Sequence, residues 1–164
     1  HAVRILDFKG LYSNTIVDNP PDPRLYQEVI QAFPDVVIED PADTDELKPL
    51  LNHVKDRLSW DYPIRSIQTI EDLPYSPRWI NIKPSRFGSL KSLLDTIEYC
   101  KQNDIIMYGG GQFELSIGRG QIQRLASLFY PDSPNDVAPR VYHSSHITGK
   151  APKSPIDVRT DVGF

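Results

Sequence analysis

The sequence predicts an α/β fold in which parallel strands alternate with helices. Two observations carry this. Short β-branched runs alternate with stretches of helical spacing in the order βαβαβ(α)βαβα, the rhythm of right-handed βαβ units. The runs themselves, Val36-Val37-Ile38-Glu39 and Ile80-Asn81-Ile82 among them, are nearly continuously apolar, as in a sheet covered on both faces.

The first run, Val3 to Phe8, is closed by Lys9-Gly10 and reads as a strand. Residues 11–23 are rich in Asn, Asp and Pro and read as a loop. Arg24 to Phe33 has helical spacing, with Asp22 as N-cap and Pro23 at the first helical position. The second strand is Val36 to Glu39, ended by Asp40-Pro41. Thr44 to Leu58 reads as a helix whose interior Pro49 kinks it or delays its start. Pro63 to Gln68 is taken as the third strand, and Trp79 to Lys83 as the fourth. Leu90 to Lys101 is a helix with Cys100 on its apolar side. Ile105 to Tyr108 is the fifth strand, running into Gly109-Gly110-Gly111, and Gly118 to Phe129 is the last helix. Residues 1–140 thus form the predicted domain, and 141–164 an irregular tail rich in Pro and Ser.

Composition narrows the function classes. The 164 residues suit one domain. A net charge of −4 without any Lys/Arg run argues against nucleic-acid binding. No apolar run approaches the ~20 residues of a membrane span. A single cysteine rules out an internal disulfide framework and fits a reducing, cytoplasmic setting. The chain opens at His1 directly on a strand, which suggests a piece of something longer.

Parallel α/β sheets place their ligands at the carboxyl ends of the strands. Those ends carry Asp7 and Lys9, Glu39, Gln68, Lys83, and Gly110, Gly111 and Glu114. Alternation puts Asp7 and Lys9 on one face of their strand and Asn81 and Lys83 on one face of theirs. Should these faces coincide, carboxylates and lysines converge. Converging carboxylates suit a hard cation such as Mg²⁺, and a nearby lysine suits proton transfer. The plain alternative for each residue is a solvated strand end. His143 and His146 have a spacing usable for metal, without acids or cysteines beside them. Asn135-Asp136 either reaches the same rim or caps a loop.

Val37-Ile38-Glu39-Asp40-Pro41, Asn81-Ile82-Lys83-Pro84-Ser85-Arg86-Phe87-Gly88 and Gly109 to Gly120 resemble the enolase superfamily. They look like its fourth, sixth and seventh barrel strands in the mandelate racemase and muconate-lactonizing group, near the o-succinylbenzoate synthases and N-acylamino acid racemases. The resemblance implies a partial (β/α)₈ TIM-type barrel, strands three to eight. It implies Mg²⁺ at the mouth, bound by Asp7 and Glu39, with Lys83 as catalytic base or as cation near an enolate. It implies a racemase or lyase acting on a small carboxylate substrate, in contact with Lys9, Gln68, Gly110, Gly111 and Glu114. Counted from Pro63-Ile64, the third metal carboxylate of the family falls at Ile67, beside Gln68, so the implied metal site lacks one anionic ligand. Lys9 stands where the family usually has Asn. The first two barrel strands have no counterpart and would come from upstream or from another chain, a homo-oligomer included. Two other readings stay open: a metal-free relative binding a small anion, with Lys9 in the metal's place, and an open doubly wound sheet. Strand order separates the latter from a barrel.

Overall fold

The computed structural model describes residues 3–18, 20–139, 142, 144–146, 149–150 and 152–157. Five parallel strands form one sheet: β1 (Ile5–Asp7), β2 (Val37–Glu39), β3 (Leu58–Trp60), β4 (Trp79–Ile82) and β5 (Ile106–Gly109). Their spatial order is the chain order. A doubly wound sheet reverses direction at its switch point, so the open-sheet reading is set aside and the sheet is a partial barrel. A parallel bridge between Gly109 and Asn135 begins the next barrel position beyond β5.

The connecting helices are α1 (Pro23–Ala32), α2 (Lys48–His53), α3 (Ile67–Glu71), α4 (Leu90–Gln102) and α5 (Ser116–Phe129). Asp22 caps α1 by accepting from the backbone N–H groups of Arg24 and Leu25, with Pro23 at the first position. Among the described residues, no helix is long and apolar enough to cross a membrane.

The third unit departs from the sequence reading. The helix expected over 44–58 is only α2, followed by a 3₁₀ turn at Lys55–Arg57. Pro49 lies in the first turn of α2, where its missing N–H costs nothing. Leu58–Trp60 is the strand, and the segment expected to be one contains the start of α3. Ser66 and Thr69 close a capping box there, which drives Ile67 onward into a helix. Leu58-Ser59-Trp60-Asp61 has the period of a strand, two large apolar side chains alternating with two polar ones.

That alternation sorts the sheet into two faces. Ile38, Leu58, Trp60, Ile80, Ile82 and Met107 lie in the two apolar cores packed against the helices. Leu47, Leu51, Tyr26 and Ile30 complete the core on the β1–β2 side, and Leu93, Ile97, Cys100 and Ala126 the other. The opposite face carries Asp7 paired in register with Glu39, Glu39 with Ser59, and Asn81 with Tyr108.

Ile80 is fully buried at the centre of the larger core. Ile80→Ala should therefore cost roughly 2–5 kcal/mol in urea unfolding. Leu90→Ala on the exposed side of α4 should stay within about 0.5 kcal/mol of the parent.

Candidate functional site

The polar face of the sheet ends in a cavity of about 310 Å³ lined by residues that include Asp7, Lys9, Glu39, Asp61, Lys83 and Asp136. Arg4 and Tyr108 also reach it. Register explains the gathering: Asp7 and Glu39 are direct neighbours on β1 and β2. Ser59 pairs with both Glu39 and Trp79, so the residues two places on, Asp61 and Asn81, share the same face.

Asp61 is the residue the sequence reading missed. It follows β3 directly, is 1% exposed, and forms two ion pairs. Lys83 Nζ lies 2.7 Å from its Oδ2, and Arg86 2.8 Å from its Oδ1. Arg86 also donates to the Asp61 carbonyl. A third carboxylate thus stands on the strand-end row, at Asp61 rather than at Ile67, and the expectation that the row lacks one is corrected. Gln68 is corrected as well: it lies on α3, where its side-chain amide donates to Asp72.

Asp40 ties three strand ends together. Its carboxylate accepts from the N–H groups of Asp61 and Tyr62, at 2.8 and 2.9 Å. Its own N–H donates to the Ser59 carbonyl, and its carbonyl accepts from Gly10. Its backbone is left-handed, with φ +45°, which Asp tolerates better than most residues.

Glu39 accepts a hydrogen bond from Asn81 Nδ2 at 3.1 Å. Burial, and then the nearby charge of Asp61, push its carboxyl up to about 8. Burial raises Asp40 to about 7 despite its two backbone hydrogen bonds. Burial also raises Asp136, against the pull of Lys83 3.6 Å away. On Lys9, burial lowers the ammonium, but the hydrogen bond and charge of Asp7 outweigh it and leave it above its usual value.

The glycine run supports this wall from behind. A side chain at Gly110 would begin 2.3 Å from Asn81 Oδ1 and 2.7 Å from Lys83 Cε, so only glycine lets β5 approach them. Gly111 donates its N–H to Asp136 Oδ1. Glu114 accepts from the Gln112 N–H and sits outside the cavity lining. His143 lies outside the described residues, so the histidine pair has no structural account.

Three carboxylates on adjacent strand ends are donors a hard divalent cation prefers. As arranged, however, the set does not fit one. Lys9 holds Asp7, Lys83 and Arg86 hold Asp61, and among the described residues no three acidic, His or Cys side chains are grouped so as to hold a metal ion.

A chain-ordered parallel sheet with acids and lysines at its carboxyl rim is part of a (β/α) barrel. Its relatives and structural neighbours are o-succinylbenzoate synthases and enolase-superfamily members. The chain is 32% identical over 134 residues to o-succinylbenzoate synthase of Bacillus subtilis, covering 79% of this chain and 35% of that protein. It is 33% identical over 107 residues to the o-succinylbenzoate synthase of Listeria innocua, covering 62% and 29%. An enolase-superfamily member from Listeria innocua matches in structure with TM-score 0.59 and 27% identity, over 76% of this chain and 35% of that one. A probable mandelate racemase from Alicyclobacillus acidocaldarius shares the fold, with TM-score 0.60 and 22% identity over 76% and 35%. The chain belongs to the family described as "Domain of unknown function (DUF8230) C-terminal domain", which it matches over residues 1–144. It spans about a third of the length of the curated relatives.

Because Glu39 and Asp40 hold protons more tightly folded than unfolded, their contribution to stability is complete below about pH 4. It is lost as pH rises through about 7 and 8. Glu39→Gln, which keeps the acceptor for Asn81, should flatten the fall in Tm between about pH 5 and pH 8.5. Equal slopes in the two proteins would refute the assignment.

Proposed function

We propose that the cavity binds a small molecule bearing a carboxylate and that its positive charge comes from the chain's own side chains rather than from a divalent cation. The observation that carries this is the double ion pair on Asp61, which brings Lys83 to the cavity at 2.7 Å from the acid. With Glu39 protonated at neutral pH, the lining acids Asp7, Asp61 and Asp136 face Arg4, Lys9 and Lys83, and Arg86 adds a further cation behind Asp61. That balance leaves room for one more anion.

Lys83 is 12% exposed at its side chain. Its ammonium sits 2.7 Å from Asp61 and 3.6 Å from Asp136, so it is held at a fixed point on the cavity wall. An ammonium held there, partly out of water, interacts more strongly with an incoming carboxylate or a developing enolate than an exposed one would. On this reading Lys83 supplies the charge that orients the ligand, and Asp61 with Arg86 keeps Lys83 in place.

A second reading is favoured by a different observation, the row Asp7, Glu39 and Asp61 on three neighbouring strand ends. It is Mg²⁺-assisted proton abstraction next to a carboxylate, as a racemase or lyase, with Lys83 as base. It requires Asp7 and Asp61 to give up the cations they now hold.

Calorimetry with a panel of small mono- and dicarboxylates, in chelator, tests the first reading on the whole protein. Micromolar to millimolar binding is expected, and Lys83→Met should weaken it at least about tenfold, or ~1.4 kcal/mol. Binding that appears only when Mg²⁺ is supplied would reverse the order of the two readings.

A further inference from the structure

We propose that Lys9 is the resident cation of this site: its ammonium takes the place a divalent metal would occupy on the carboxylate row and keeps the site metal-free. This rests on the metal-free reading above and names the residue that decides it.

One residue engages both oxygens of Asp7. The Lys9 backbone N–H donates to Asp7 Oδ1 at 2.9 Å, and the Lys9 ammonium pairs with Asp7 Oδ2. Both oxygens of the first acid are therefore engaged by a group only two positions along the chain. Both oxygens of Asp61 are likewise engaged, Oδ1 by Arg86 and Oδ2 by Lys83. Glu39, between them, has Oε1 bonded to Asn81. A metal would have to displace an ammonium at each flanking acid before it could bridge them.

The backbone holds Lys9 in this pose. Its φ is +56°, left-handed and uncommon for a side chain of this size. The next residue fixes it: Gly10 donates to the Asp40 carbonyl at 2.9 Å. The Gly10 α-carbon is pressed so close to Ala42 that an added Cβ would lie 2.1 Å from the Ala42 nitrogen. Tyr12 donates its N–H back to the Lys9 carbonyl, and its ring lies 4.8 Å from the ammonium, a cation–π distance. Turn, glycine contact and aromatic ring all aim the ammonium at Asp7. Lys83 and Arg86 are committed to Asp61, so Lys9 is the cation whose removal frees Asp7, the register neighbour of Glu39.

The experiment compares Mn²⁺ and Mg²⁺ uptake by the whole protein and by Lys9→Asn, using Mn²⁺ electron paramagnetic resonance and calorimetry with Mg²⁺. Asn is short and neutral and tolerates left-handed backbone. The native protein should show no uptake at millimolar metal, and Lys9→Asn should bind at least about tenfold more tightly. Adding Asp7→Asn should abolish the gain. Lys9→Gln serves if Lys9→Asn fails to fold, with the same expectation. Native protein that takes up Mg²⁺ as tightly as the variants would overturn both this inference and the metal-free reading. Folded variants as metal-blind as a metal-blind native protein would overturn the role of Lys9 alone.

Discussion

The buried carboxylate of Asp40 is the constraint on which the site depends. It lies in none of the strands, yet its side chain accepts from the start of the loop after β3, its N–H reaches Ser59 in the middle of β3, and its carbonyl holds Gly10 after β1. Register already sets Asp7 beside Glu39, and Asp40 extends that order past the end of β3 to Asp61. Burying such a group is costly unless it is hydrogen-bonded, and here both carboxylate oxygens are. The raised affinity of Asp40 for its proton is the residue of that cost.

The charges that Asp40 gathers then settle one another. Alternating acids and cations on one face of a sheet form a network in which each acid has a partner within the chain or a proton of its own. Breaking one partner of a buried pair is expensive, because the remaining charge is left uncompensated. On the metal-free reading proposed above, this is how the same row of carboxylates is attractive to a metal in outline and closed to one in detail. The outline is set by strand register, and the detail by two lysines and an arginine.

The α/β rhythm was legible in the sequence because β-branched runs and Asp, Ser and Pro caps are local signals; α1, with Asp22 and Pro23, shows how well they work. The barrel order and the superfamily were legible from the segments around Glu39, Lys83 and Gly110, and the fold and comparisons agree with them. The third unit was not. Leu58-Ser59-Trp60 is only three residues long and follows a leucine-rich stretch, so its leucine merged with the helical pattern. Pro63-Ile64 then offered a more conspicuous start. That slip hid Asp61 and promoted Gln68. The period of two in Leu58-Ser59-Trp60-Asp61 was the available signal. Asp40 was hidden for another reason: its role lies in long-range backbone contacts, which no local pattern announces.

A sheet whose strands pair solely with their sequence neighbours has a modular anatomy. Each βα unit brings its own rim side chain together with the helix that buries its back. A change of chemistry at one rim position therefore leaves the interior packing of the other units intact. Such a scaffold separates two kinds of change: the apolar layer can repack within one unit, whereas the rim charges, paired across strands, change only together.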